Sequence, residues 1–270
     1  MEDNFFKKIA RFLLSPFWGK KFWQKSFELL HLFALKGMNF GGGATYSASG
    51  EEWVLDYIAK QGSNPAVVFD GGANKGEYAL MAQRVFERRG RPIKIYCFEP
   101  SKATFAMLQK NINKSSSIMP INSGLGESQS QSVLYSDGAG SGLASVYNRD
   151  LPEQHQALTM QEQVAITSVD GFCKQNNIGR IDFLKLDIEG FEMAALRGSS
   201  AMLKNRAISA IQFEFGGADI DARVFFKDFY NLLSPDFNIY RILQNGLYPI
   251  KHYRETDEVF ITTNYFAELK

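Results

Sequence analysis

Apolar and polar positions along this chain switch between two periods, and the switching predicts its elements. Short apolar runs over 66–70, 93–98, 117–122, 181–187, 207–214, 238–243 and 257–262 read as strands. Spacing near 3.6 residues predicts helices over 5–36, 50–61, 76–89, 101–113, 190–203 and 221–233. The helix over 50–61 opens with Ser49-Gly50-Glu51-Glu52, where Ser49 is the expected cap and Glu52 follows three residues on. Strands separated by helices imply a parallel sheet, whose ligands bind beyond the carboxyl ends of its strands. Several of these runs end in acids: Asp70, Glu99, Asp187 with Glu189, and Glu214. A binding cleft lined by carboxylates is the consequence.

The stretch Asp70-Gly71-Gly72-Ala73-Asn74-Lys75-Gly76-Glu77-Tyr78 joins the first strand to a helix through a glycine-rich turn. Gly71, Gly72 and Gly76 allow backbone N–H groups to approach a ligand closely. An acid at that strand tip repels a diphosphate and attracts a ligand carrying an ammonium and a sulfonium. The reading is S-adenosylmethionine rather than NAD. Glu99, closing the second run as Glu99-Pro100-Ser101, suits both ribose hydroxyls of an adenosine, a feature shared by many nucleotide-binding folds.

Taken in order, Asp70 to Tyr78, Phe98-Glu99-Pro100, Thr167-Ser168-Val169-Asp170 and Ile181 to Gly190 resemble the FkbM-type methyltransferases, over roughly residues 40 to 262. Gly71 stands where that family more usually carries a small aliphatic residue. The resemblance implies a class I methyltransferase fold: a doubly wound, Rossmann-like, seven-stranded and mostly parallel sheet with a late antiparallel hairpin from Ile239 through Gly246 to Ile261. It also implies S-adenosylmethionine as donor and a hydroxyl acceptor on a sugar, a glycan or another small natural product. The candidate donor-binding set is Asp70, Gly71, Gly72, Ala73, Asn74, Gly76, Tyr78, Glu99, Pro100, Ser101, Asn122 and Asp187. Two other function classes stay open: an NAD(P)-dependent Rossmann oxidoreductase, which Asp70 disfavours, and a non-catalytic, membrane-associated binding module of the same fold.

Methyl transfer is an in-line displacement, so the acceptor oxygen must be held close to the methyl–sulfur axis while its proton finds a base. Asp187, Glu189 and Glu214 are the candidate catalytic residues. Asp187 is expected at the methionine end of the donor, with Glu189 or Glu214 taking the proton. The three acids could instead hold a divalent cation, but no spacing requires one and no residue is assigned to a metal. An amino-methylating Asn/Asp-Pro-Pro-aromatic signature is absent after the fourth strand, which favours oxygen. His31, His155 and His252 are read as non-catalytic, and Lys185 as support for the sheet.

Composition alters this picture only at the N-terminus. A 270-residue chain can bury one large α/β core, and its net charge of +1 gives no global case for binding nucleic acid. Cys97 and Cys173 lack metal-ligand partners in sequence and read as buried thiols of a reducing cytoplasm. Residues 1–45 form a helical segment ahead of a methyltransferase domain over 46–270. Within 5–36, phenylalanines and tryptophans are interleaved with lysines and interrupted near Ser15-Pro16, and no apolar run there spans a bilayer. Two expectations compete: peripheral contact with the inner face of a membrane, or packing on the domain or on a second copy as a homodimer. The irregular segment from Gly124 to Asp170 is expected to be either a lid or acceptor loop, or a tolerated surface insertion.

Overall fold

The structure, a computed structural model, describes residues 2–42, 49–113, 115–151 and 156–270. The helices are α1 (Glu2–Leu14), α2 (Gln24–Gly37), α3 (Glu51–Ile58), α4 (Glu77–Arg88), α5 (Lys102–Ile112), α6 (Val169–Gln175), α7 (Glu192–Arg197), α8 (Ser200–Lys204), α9 (Gly217–Ala222) and α10 (Phe226–Leu233). The main sheet takes β1 (Ala66–Gly71), β2 (Ile93–Phe98), β3 (Ile118–Ile121), β9 (Phe183–Leu186), β10 (Ala210–Phe215), β11 (Phe237–Leu243), β12 (Gly246–Pro249) and β13 (Thr263–Leu269). An insertion contributes β4 (Gly124–Leu125), β5 (Ser130–Ser136), β6 (Asp150–Leu151), β7 (Gln156–Ala157) and β8 (Met160–Thr167).

The strand order is β3-β2-β1-β9-β10-β13-β11-β12. The first five are parallel, β13 runs antiparallel to both neighbours, and the β11–β12 hairpin closes the edge. This is the class I methyltransferase order with β12 added as an eighth strand. The inner strands are mostly apolar because helices cover both faces. Side-chain alternation divides them: Phe69, Leu184, Leu186, Phe213 and Phe215 pack with Phe172 and Phe229 on one face. Val68, Ile95, Phe183 and Phe266 pack under α3 and α4 on the other.

Several sequence expectations shift. The last strand lies at 263–269, not 257–262, which is irregular chain following a 3-10 turn at Glu255–Asp257. Phe260 packs against Phe215 at 5.1 Å from that irregular chain, so its apolarity marks core contact and not a strand. The 190–203 helix is two, α7 and α8, and α6, around Cys173, lies outside the helix ranges given above; Ser168 caps it by accepting from Gly171 N–H at 3.0 Å. The helical reading of 5–36 breaks where Pro16 predicts, into α1, two 3-10 turns at Ser15–Phe17 and Lys21–Trp23, and α2. At α3 the residue before the helix is Gly50, in the left-handed region, with Ser49 Oγ accepting from Glu51 N–H.

Candidate active site

Pleat and register place Cys97, Asp70, Lys185 and Gln212 side by side on β2, β1, β9 and β10, all turned toward α3 and α4. Asp70 is 0% and Lys185 1% exposed, with the ammonium 3.5 Å from Asp70 Oδ1 and 3.1 Å from Asp187 Oδ2. It also lies 4.7 Å from the centre of the Tyr78 ring. Neither oxygen of Asp70 accepts a hydrogen bond among the described residues, and burial raises its carboxyl above the ordinary range while Lys185 pulls it back. Burial opposes the Lys185 ammonium, but Asp187, Asp70 and Glu51 outweigh it and hold its pKa well above ordinary. Burial, with Asp70 beside it, also drives the Cys97 thiol well up. Glu51 closes the row from α3: Gln212 Nε2 donates to one of its oxygens at 2.7 Å and Ser49 Oγ to the other at 2.8 Å.

Above this row, at the carboxyl ends of the strands, opens a cavity of about 550 Å³. Gly72 forms part of its floor at φ +78, where a Cβ would stand 1.9 Å from the Asp187 carbonyl oxygen, so the β1 turn can lie flat against β9 only without a side chain. Glu99 accepts from Asn74 N–H at 3.1 Å and from Ser101 N–H at 2.9 Å, one bond to each oxygen. The insertion roofs this end with Leu134, Leu143, Val146 and Ile166. It is fastened across the β1 and β2 loops by Asn74 Nδ2 donating to Ser141 O at 3.2 Å and Gly140 N–H donating to Thr104 Oγ1 at 2.9 Å. Among the described residues, the charged side chains lining the cavity are all acids: Glu51, Glu77, Glu99, Asp187, Glu189 and Glu214.

Asp187, Glu189 and Glu214 converge from two adjacent strand ends, with one carboxylate oxygen of each lying within 4.8 Å of the others. That spacing would let one divalent cation touch all three. Two of them already have counter-charges: Lys185 pairs with Asp187, and Arg149 with Glu189 at 2.5 Å. Arg149, 3.4 Å from Asp221 through Nε, arrives from the insertion. Glu214 has neither an ion pair nor a hydrogen bond among the described residues. The turn carrying Glu189 is tightly held. Glu189 stands at φ +55 and Gly190 at φ +99, and the Glu192 carboxylate accepts from Ile188 N–H at 2.7 Å and Gly190 N–H at 2.9 Å. Burial and the charge on Asp187 push Glu189 up to about 7 despite Arg149. Burial, then Asp187, Glu189 and Glu192, put Glu214 well above its ordinary value.

Of the residues singled out from sequence, Gly72, Asn74, Glu99, Pro100, Asp187, Glu189 and Glu214 border the cavity. Asp70, Gly71, Ala73, Gly76, Tyr78, Ser101 and Asn122 do not. Asp70 and Tyr78 lie beneath it against Lys185; in register Asp70 pairs with Cys97, two residues short of Glu99. Gly71 ends β1, Ala73 is buried in the turn, and left-handed Gly76 precedes α4. Ser101 caps α5, and Asn122 Nδ2 donates at 3.0 Å to the carbonyls of Glu99 and Pro100, fixing the loop that presents Glu99. His31 and His252 lie away from the cavity, and His155 falls outside the described residues. Sequence reasoning missed Glu51, legible only as a helix-start acid, together with Asn264 and Arg149.

The FkbM methyltransferase domain profile matches residues 70–241, which contain most of this cavity. The chain belongs to the FkbM methyltransferase family. "Methyltransferase 1" of the fungus Beauveria bassiana is 29% identical over 146 residues, covering 48% of this chain; the chain spans 57% of that relative's length. Among solved structures, an FkbM methyltransferase from Methylobacillus flagellatus superposes with TM-score 0.45 at 19% identity, covering 75% of this chain and 43% of the other. Fibrillarin of Aeropyrum pernix, solved with natively bound S-adenosyl-L-methionine, gives TM-score 0.39 at 12% identity over 80% of this chain and 74% of its own.

In this FkbM-family chain the buried acids make stability fall with rising pH. Burial raises Glu99 from 4.5 to about 7, outweighing its two N–H donors. The folded state therefore favours the protonated carboxyl. That contribution is complete below about pH 4.5 and lost as pH climbs through about 7. For Glu99 alone the change is on the order of 3 kcal/mol, and Glu189 and Asp219, also raised to about 7, act in the same direction. Denaturant unfolding of the ligand-free chain is expected to give a lower midpoint at about pH 8 than at about pH 5.5. A higher midpoint at alkaline pH would mean that these acids are ionised at no cost.

Proposed function

We propose that the chain is an S-adenosylmethionine-dependent O-methyltransferase whose acceptor is a hydroxyl of an uncharged sugar, glycan or similar small polyol. The observation that carries this reading is the convergence of Asp187, Glu189 and Glu214 in one cavity with Glu99, within walls that hold no basic side chain among the described residues. A cationic donor is favoured by such walls. A dinucleotide or a nucleotide-linked sugar would bring a diphosphate against six carboxylates, which disfavours both the oxidoreductase reading and sugar-nucleotide acceptors.

The residues present fit the donor. Each oxygen of the Glu99 carboxylate keeps acceptor capacity beyond its single backbone bond, as two vicinal ribose hydroxyls require. The side-chain-free floor at Gly72 admits close approach of a ligand to the β1 turn. When bound, the donor supplies an electrophilic methyl group and positive charge. Asp187, held by Lys185, supplies fixed negative charge at that end of the cavity. Glu214, the acid of the three without an ion pair among the described residues, takes the acceptor's proton, and Glu189 orients the acceptor from its Arg149-braced turn. The insertion roof sheds water and offers an apolar face to the acceptor's carbon skeleton.

Calorimetry with S-adenosylhomocysteine tests the donor half of this reading. Micromolar binding is expected, with Glu99→Gln losing about 1–3 kcal/mol because a carboxylate acceptor of two hydroxyls is replaced by a neutral amide. No heat from a folded parent would remove the reading.

A further inference from the structure

The N-terminal helices end beside the cavity but leave their own apolar side chains uncovered. Among the side chains described from residue 8 onward, none is buried before Leu35. Phe12 is 81%, Phe22 85% and Phe33 64% exposed, alongside Leu13, Trp18, Leu29, Leu30 and Leu32. At the elbow between α1 and α2, Phe17 and Phe22 pack on Trp23 with ring centroids 4.6 and 5.5 Å away, making an aromatic knob. The root of α2 is firmly attached. Leu35 and Phe40 are buried, the Arg241 guanidinium lies 4.7 Å from the Phe40 ring centre, and Asn39 Nδ2 donates to Ile242 O at 3.0 Å. Gly41 N–H donates at 3.0 Å to the carbonyl of Thr262, a residue of the cavity rim.

Charge selects what covers this surface. Seven of the chain's 30 basic residues but three of its 29 acids fall in the first 42 positions, so this segment is net +4 and the remainder net −3. Two copies of one cationic segment repel each other when packed face to face. An anionic lipid surface attracts it, takes the aromatic rings at headgroup depth, and leaves the lysine ends in water. No helix among the described residues is long and apolar enough to cross a membrane, so the contact lies in the interface.

We infer that residues 2–37 are an interfacial anchor that seats the chain on an anionic lipid surface, with the cavity rim at Thr262 held near that surface by the attached end of α2. The inference does not depend on the acceptor named above. It is tested on the full chain by co-sedimentation with vesicles of phosphatidylcholine alone, and of phosphatidylcholine with phosphatidylglycerol at about three to one. Retention at least about tenfold greater on the anionic vesicles, reversed by salt, is expected. The triple variant Phe12→Ser, Phe22→Ser, Phe33→Ser is expected to lose that retention while keeping the parent's thermal midpoint and S-adenosylhomocysteine affinity, because these side chains are largely exposed. Equal retention of parent and triple variant overturns the inference, as does absence of the parent from both vesicle pellets. A parent dimer in light scattering that the triple variant abolishes also overturns it, assigning the surface to a second copy.

Discussion

Lys185→Met is expected to destabilise the fold by about 3–5 kcal/mol, the range for removing one partner of a buried ion pair. The methionine fills the space of the lysine stem, so the loss reports the charge. Without the ammonium, Asp70 at 0% exposure is left with the repulsion of Asp187 and, among the described residues, with no hydrogen-bond donor for its oxygens. Asp70 must then take a proton or leave the row, and each costs the native state. The corresponding fall in thermal midpoint is roughly 10 °C for a chain of this size. Asp70→Asn combined with Lys185→Met removes both charges, and the double variant is expected to recover part of the loss, giving a favourable coupling in the cycle. A single variant as stable as the parent would show that the row is held by packing alone. S-adenosylhomocysteine affinity separates this role from direct ligand contact: Asp70→Asn is expected to change stability before it changes affinity.

That distinction marks where the sequence was legible and where it was not. The strands around the cavity could be read because burial on both faces leaves predominantly apolar runs, and a parallel sheet brings their ends together. Asp187, Glu189 and Glu214 therefore stood out as strand-end acids, and the structure brings their oxygens within 4.8 Å. Whether a strand-end acid faces the ligand or the core depends on where the strand stops. Two residues of difference in register put Glu99 in the cavity wall and Asp70 beneath it. The row Cys97–Asp70–Lys185–Gln212 depends on register between four strands, which no local pattern encodes. Glu51 reaches the row through the packing of α3, and Arg149 reaches Glu189 from an insertion with no period. β13 was displaced in the reading because its Thr263-Asn264 start is polar, although Asn264 is needed at the cavity rim.

Glu214→Gln is expected to lower single-turnover methyl transfer by about 10²- to 10⁴-fold, the contribution of a positioned general base. Glutamine keeps the size and one acceptor oxygen, so donor affinity should be preserved and the loss should fall on the chemical step. The choice of Glu214 follows from the pairing of the other two acids. Lys185 pairs with Asp187 and Arg149 with Glu189, whereas Glu214 has no ion pair among the described residues; burial and three neighbouring carboxylates, against the pull of Lys185, hold it well above its ordinary pKa. A base raised in this way binds a proton strongly once it has lost its own. The parent's rate should accordingly rise with pH as Glu214 deprotonates, and the Gln variant should lose that rising limb. Chelation by EDTA is expected to leave the parent's rate unchanged, because counter-charges for Asp187 and Glu189 are already built in. If instead EDTA abolishes turnover and added divalent cation restores it, the three carboxylates hold an ion and Glu214 is a ligand. Full activity in the Gln variant would move the proton to Glu189, the other raised acid of the cavity, whose own variant would then carry the pH limb.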